Sequence, residues 1–426
     1  MPTVLLVNPP SLPGTTANRE GTAGMGVTVP HPNGFYYPPQ TLAAGVAVLT
    51  AAGYKAHALD AVGEPADAES VIRHILTLAP DVIGVLVSPK TWDADQTFLL
   101  ALHKRGVQGK VILLGTGARF IPYQEWIPLA DGVVVGDIEW ALVPVVDALR
   151  EGGTAAGLWH PDDPVPPPPV WVPAGAVVPY PAWDALPVER YPFLTLWGSR
   201  GCSLGCRWCP YAVGWGRVRR ARNPEQVAGE LRWLASQFGK NRHIFRDPTF
   251  AADPEWVNAF CDALLAEGSP PPWEFEDRPE HLTLPLLRRM REAGATQVKL
   301  GVEVLSPHAL VKWGRLEHPS QFVAYRTHAA ETIHACRELG LLCRVFILIG
   351  IGESEEDLAR TEEFLRQTKP HYVSVKRLTV YPGVDMVQDY TPLPSEVLAR
   401  WEARLTATAH PPRPRTWRRW IRRVWR

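Results

Sequence analysis

Apolar and polar positions divide the chain into two strand–helix series. Residues 3–8 (TVLLVN) form a short apolar run closed by Asn8-Pro9-Pro10, the pattern of a buried strand ended by a turn. A loop rich in proline, glycine and threonine is predicted to about Pro39. Residues 40–52 then read as a helix ended by Gly53. Further strands are predicted over YKAHALDA (54–61), DVIGVLVSP (81–89), KVILLGTG (110–117) and DGVVVGD (131–137), with a helix at 68–78. Strands that alternate with helices predict a parallel, doubly wound sheet whose ligand crevice lies at the carboxyl ends of the strands.

Residues 151–190 change character. Nine prolines stand between Pro161 and Pro181, which predicts an extended spacer over the surface. A second series starts near Phe193, with predicted strands FLTLWGS, RHIFRD, WEFED, QVKLGVEV, CRVFILIG and YVSVKRLTV. Amphipathic stretches such as NPEQVAGELRWLASQ and LPLLRRMREAG lie between them. Strands each followed by a helix predict a partial parallel barrel. The expected organisation is a first domain over 1–150, a proline-rich linker over 151–190, a barrel over 191–385 and a C-terminal helix with a basic tail over 386–426.

Charge refines this picture. The chain is formally neutral, with 44 basic and 44 acidic side chains, but seven arginines fall within 413–426, leaving 37 basic against 44 acidic in the body. A body of that sign is a poor general partner for nucleic acid. In the tail, Trp417, Trp420, Ile421, Val424 and Trp425 share one helical face and the arginines the other, the composition of a helix lying in a bilayer interface. A solvated basic tail, or one docked on the acidic body, fits the same residues. No apolar run is long enough to span a membrane, and residues 1–20 lack the basic-then-apolar order of a signal peptide. The expected location is therefore cytoplasmic, with the tail as a peripheral contact at the inner membrane face.

The sharpest chemical feature is the cysteine cluster. Of the six cysteines none precedes Cys202, and Cys202, Cys206 and Cys209 form a C-x3-C-x2-C run just after a predicted strand. Such a run suits metal in a reducing compartment better than a disulfide framework. Three thiolates can hold three irons of a 4Fe–4S cluster and leave the fourth open to chelate a substrate. A zinc site would need a fourth ligand. Cys261, Cys336 and Cys343 fall in helix or strand patterns and read as buried core thiols.

With these residues the sequence resembles the radical S-adenosylmethionine family, in its cobalamin-binding branch. Trp208 stands before the third cysteine, where that family has an aromatic residue, and RVRRARNPEQVAGEL (217–231) resembles its lead into the first barrel helix. Phe245-Arg-Asp247-Pro-Thr-Phe250 resembles F-x-D-D-x-F, with Pro248 in place of the second acid. Arg278 follows WEFED where the branch has an arginine. LGVEVLS (300–306) resembles I-G-I-E-S and brings Gly301 with Glu303. FILIGIGESEED (346–357) resembles F-I-x-G-x-P-G-E-T-x-E-D and brings Ile349, Gly350 and Gly352. The resemblance implies that Trp208, Asp247, Arg278, Gly301, Glu303, Ile349, Gly350 and Gly352 contact S-adenosylmethionine. In the first half, Asn8-Pro9-Pro10, 36–54, PDVIGV, LLGTG and VVGDIE parallel the branch's cobalamin domain. They imply cobalamin contacts at Pro9, Ser88, Thr91, Gly115, Thr116, Gly117, Gly136 and Glu139. The implied fold is α/β, a Rossmann-like doubly wound cobalamin-binding domain followed by a partial (β/α)6 TIM-like radical SAM barrel.

The resemblance implies an enzyme that uses a 4Fe–4S cluster, S-adenosylmethionine and cobalamin, and methylates an unactivated carbon of a small or lipid-like substrate. It would draw electrons from a flavodoxin- or ferredoxin-type donor. A cyclase or rearrangement enzyme with the same cofactors is the alternative, and a cobalamin sensor with a vestigial barrel is one of another class. Methylthiolation of tRNA is rejected, because that family holds a second cluster on N-terminal cysteines. A histidine ligand to cobalt is not expected from His31, since Val29 stands where D-x-H-x-x-G has its aspartate, and the imidazole lacks the acceptor that would orient it.

Overall fold

The computed structural model describes residues 1–31, 36–240, 242–385 and 388–410, so the predicted 413–426 tail lies outside the described residues. The chain divides into two compact units, residues 1–195 with 213–216, and residues 196–212 with those from 217 onward.

The first unit runs β1 (Thr3–Asn8), β2 (Thr15–Asn18), β3 (Val27–Pro30), α1 (Gln40–Ala51), β4 (Lys55–Asp60), α2 (Ala68–Leu78), β5 (Val82–Leu86), α3 (Trp92–Lys104), β6 (Lys110–Leu114), the single turn α4 (Tyr123–Trp126), β7 (Gly132–Val134), α5 (Ile138–Glu151) and β8 (Leu158–Trp159). Its main sheet has the order β4-β1-β5-β6-β7-β8. β1 pairs in parallel with β4, from Thr3 opposite Lys55 to Asn8 opposite Asp60, and with β5 on its other edge. The order therefore reverses at β1, the doubly wound topology that opens a crevice at the carboxyl ends of β1 and β5. Continuous apolar runs such as VIGVL are buried along their whole length because helices cover both faces.

Two elements differ from expectation. The loop after β1 contains an antiparallel hairpin, β2 with β3, registered from Thr15 opposite Pro30 to Asn18 opposite Val27. The proline-rich stretch also does more than span. Leu158 and Trp159 pair antiparallel with β7 as an edge strand, and Trp183 and Tyr191 from the same stretch are buried in this unit. Prolines sit where no ladder hydrogen bond is needed, so the stretch packs while remaining irregular.

The second series runs β9 (Leu194–Leu196), β10 (Ser199–Arg200), α6 (Pro210–Trp215), β11 (Arg220–Ala221), α7 (Pro224–Phe238), β12 (His243–Phe245), α8 (Pro254–Ala266), β13 (Trp273–Asp277), α9 (Leu284–Glu292), β14 (Ala295–Gly301), α10 (Pro307–Lys312), α11 (Phe322–Glu338), β15 (Leu342–Ile349), α12 (Glu355–Thr368), β16 (Tyr372–Arg377) and α13 (Ser395–Thr406). Its six-stranded sheet keeps chain order, β9-β12-β13-β14-β15-β16, the sequence of a partial (β/α)6 barrel. Successive pairs from β12 to β16 are parallel. The helices start where the sequence caps them. Asn223 caps α7 ahead of Pro224, and Ser354 and Asp357 form a capping box on α12. β12 and β13 contribute to an aromatic cluster in which the Phe245 and Phe250 rings lie 4.6 Å apart and Trp273 and Phe275 5.5 Å apart.

Candidate functional site

The cysteine run leaves the sheet at β10. Gly201 takes φ +79, and a Cβ there would stand 2.0 Å from the Val218 carbonyl oxygen, so only glycine allows the turn into Cys202. Cys202 is buried, while Cys206 and Cys209 are partly exposed. The Cys209 amide donates to the Cys206 carbonyl at 3.3 Å. Burial raises the pKa of Cys202 and Cys209, and in each case the neighbouring Cys206 sulfur raises it further, as expected of thiols that share one site.

The C-terminal ends of the barrel strands gather the other residues singled out in this unit. Arg278, just past β13, directs Nη1 at the Cys206 sulfur at 3.8 Å. Gly301 ends β14. Two residues on, Glu303 adopts φ +65, a left-handed conformation that a glutamate holds only where its surroundings over-determine it. Its amide, like that of Val302, donates to the Phe346 carbonyl, at 3.0 and 3.2 Å. Burial, opposed by Arg315 and reinforced by Glu276, pushes the Glu303 carboxyl up to about 7. Ile349 ends β15 and is buried, and Gly350 and Gly352 follow it with φ +81 and +92. The loop is held by Glu353, whose carboxylate accepts from the Gly350 amide at 2.6 Å and the Ile351 amide at 2.8 Å. Trp208 lies with its ring 6.2 Å from that of Trp313.

Asp247 follows the C-terminal end of β12 and is engaged by the segment that leads into the cysteine run. Its carboxylate accepts from the Gly198 amide at 2.9 Å, the Ser199 amide at 2.6 Å and the Ser199 hydroxyl at 2.9 Å. Burial outweighs those bonds and raises its pKa to about 6. The geometry makes it a brace for the strand that enters the cysteine run.

Sequence reasoning passed over Trp313, Arg315, Glu280 and Glu353. Glu353 stood inside a quoted motif. The other three carry no motif and meet the site only through the fold.

In the first unit, Ser88 and Thr91 are buried, their hydroxyls 2.6 Å apart. The Ser88 amide and Thr91 hydroxyl both donate to Asp95, at 3.0 and 2.8 Å. Asp95 pairs with Arg19 at 2.6 Å, both side chains wholly buried. Arg19 also donates to the Pro9 carbonyl at 2.7 Å and to Asn8 Oδ1 at 2.8 Å. The turn of Gly115, Thr116 and Gly117 follows β6 and packs on Gly24, from the loop between β2 and β3. Gly136 is required by its own chain, since a Cβ would stand 2.1 Å from the Val170 carbonyl oxygen. Glu139 lies in the first turn of α5. The fold thus joins Pro9, Ser88 and Thr91 through one buried network, while Gly136 meets Val170. His31, at the end of β3, is exposed, with Nδ1 3.3 Å from the Thr16 hydroxyl.

Residues 198–365 match the Radical SAM superfamily. An uncharacterized methyltransferase, PH0819, of Pyrococcus horikoshii is 24% identical over 340 residues, covering 76% of this chain and 72% of the relative. The cytidylyl-2-hydroxyethylphosphonate methyltransferase of Streptomyces wedmorensis is 25% identical over 222 residues, or 45% of this chain and 38% of that protein. Among solved structures, the radical S-adenosylmethionine methyltransferase TsrM from Kitasatospora setae, with cobalamin and a [4Fe-4S] cluster bound, superposes with a TM-score of 0.70 at 17% identity, over 94% of this chain and 78% of that one. The cobalamin-dependent S-adenosylmethionine radical enzyme OxsB gives a TM-score of 0.68 at 18% identity, over 88% and 53%. Residues 198–365 thus form a Radical SAM domain, and the chain shares the fold of the TsrM and OxsB structures.

Proposed function

We propose that the protein is a cobalamin-dependent radical S-adenosylmethionine methyltransferase that acts on an unactivated carbon. The observation that carries this reading is the cysteine loop at the barrel's C-terminal rim, with Arg278 on Cys206 and the Gly350–Gly352 loop on the same rim. The donor set suits a cluster. Its three cysteines lie within eight positions, and their thiols perturb one another. That combination fits one thiolate per iron.

Cys202, Cys206 and Cys209 would hold the cluster, and Arg278 would lend positive charge beside it. Glu303, with a carboxyl near neutrality in its affinity for protons, would accept from a ribose hydroxyl, and the loop after Ile349 would offer backbone groups to the adenine. Gly301 leaves the space in which the Glu303 carboxylate lies, since a Cβ there would stand 3.0 Å from its Oε1. Trp208 and Trp313 would shield that side from water. When bound, the cluster supplies the electron that cleaves S-adenosylmethionine, and methylcobalamin supplies the transferable methyl group. In the first unit the 115–117 turn and Glu139 would meet cobalamin, with Ser88 and Thr91 supporting the crevice from beneath through Asp95. The partners on this reading are a small or lipid-like substrate and a flavodoxin- or ferredoxin-type donor.

Incubation of reduced protein with S-adenosylmethionine and methylcobalamin, analysed for 5′-deoxyadenosine and S-adenosylhomocysteine, tests the assignment. Both products together support methylation, and 5′-deoxyadenosine alone supports cyclisation or rearrangement. The absence of both contradicts radical chemistry. Among the described residues no helix is long and apolar enough to cross a membrane. The tryptophan and arginine positions of 413–426 support a peripheral contact with anionic lipid. Equal sedimentation with anionic liposomes by the full chain and by a chain ending at Pro412 would contradict it.

A further inference from the structure

Arg278 does not reach Cys206 unaided. Its Nη2 donates to Glu280 Oε1 at 2.6 Å and to the backbone carbonyl of Arg315 at 3.2 Å. The second oxygen of Glu280 lies 3.3 Å from Arg315 Nη2. Arg315 is itself anchored, donating to the Gly301 carbonyl at 2.6 Å with its guanidinium 5.4 Å from the Tyr325 ring centre. The side chain of Arg315 is 3% exposed, that of Arg278 13% and that of Glu280 31%. One carboxylate thus divides its oxygens between two guanidinium groups, and the nearer of these faces a cysteine sulfur.

We infer that Arg315 and Glu280 are positioning residues that aim Arg278 at the Cys206 sulfur and, through it, set the reduction potential of the cluster and its hold on S-adenosylmethionine. The inference rests on the cluster reading above. Its physical basis is general. Hydrogen bonds to cluster sulfurs and nearby net charge are levers on an iron–sulfur potential, and a cation stabilises the added electron. A guanidinium on a long side chain populates many rotamers unless something holds it, and here the holder is a second, buried guanidinium acting through a shared carboxylate. A buried arginine at this place without that role would serve as well with its charge merely paired. The signs of its replacement tell the two apart.

Anaerobically reconstituted Arg315→Met, Arg315→Lys and Glu280→Gln proteins, compared with the unaltered protein by redox titration followed by electron paramagnetic resonance, test the assignment. Arg315→Met and Glu280→Gln are both expected to lower the midpoint potential, because each releases Arg278 from the Cys206 sulfur, whereas loss of the Glu280 charge alone would raise it. Arg315→Lys is expected to stay near the parent value. S-Adenosylmethionine binding, measured by equilibrium dialysis, is expected to weaken by about tenfold in Glu280→Gln, the loss of one oriented charge-assisted contact. Glu280 is partly exposed, so its glutamine variant folds even where a buried Arg315 variant does not. A potential that rises in Glu280→Gln while it falls in Arg315→Met, or that moves in neither, overturns the assignment while leaving the cluster in place. A parent protein that binds no iron overturns the cluster reading itself.

Discussion

Trp313 donates its indole N–H to the Ile351 carbonyl at 2.8 Å, and its own carbonyl accepts from the Arg207 amide at 2.9 Å. One buried residue therefore ties the cysteine run to the loop that carries Gly350 and Gly352. Trp313→Phe keeps most of the ring but leaves the Ile351 carbonyl without its donor. We expect a loss of about 1–2 kcal/mol in stability by chemical denaturation, the cost of one buried group left unpaired, and faster release of S-adenosylmethionine at unchanged iron content. Release at the parent rate would show that the two loops act independently.

Asp247 confers a pH dependence of calculable sign. Its folded pKa of about 6 lies above the ordinary aspartate value of about 3.9, so the native state takes up a proton between the two. Its contribution to stability is full below about pH 4 and is lost as pH rises through about 6, by about 3 kcal/mol over the window. Asp247→Asn removes this titration. Denaturation midpoints at about pH 5 and about pH 7.5 are expected to differ less in the variant than in the parent. Equal differences would contradict the assignment.

The Arg19–Asp95 pair is closed to solvent and holds Ser88, Thr91 and Pro9 together. Arg19→Met leaves a buried carboxylate without its cation and is expected to cost about 3–5 kcal/mol, with the double change Arg19→Met/Asp95→Leu less damaging than the single one. A double-mutant cycle in urea checks this. A double variant worse than Arg19→Met would place the network's value in its charges.

Among the described residues His31 Nδ1 meets the Thr16 hydroxyl and no orienting acid. Bound cob(II)alamin is expected to give an electron paramagnetic resonance spectrum without nitrogen superhyperfine splitting. A nitrogen triplet that His31→Ala removes would contradict this.

The regular elements were legible because each carries a signal on its own length. VIGVL and LCRVFILI read as strands, and Gly201 to Cys209 read as one chemical unit because its cysteines lie within eight positions. The hairpin of β2 and β3 left no such mark. TTAN and VTVP are four-residue strands whose pairing comes from the packing of the loop between them. Leu158–Trp159, just ahead of the prolines, is two residues long and too short to show a period. Asp247 was legible as a motif residue, but its partners are backbone amides nearly fifty residues away, which no spacing rule supplies. Glu280 and Arg315 are ordinary charged residues until β13 and β14 carry them to one rim.

Iron and acid-labile sulfide in the anaerobically reconstituted chain, measured beside a variant with Cys202, Cys206 and Cys209 all replaced by alanine, decide whether these three thiols hold a cluster. About four irons and four sulfides are expected in the parent protein, and neither cluster nor S-adenosylmethionine cleavage in the variant. A triple variant that keeps its iron and still produces 5′-deoxyadenosine would contradict this.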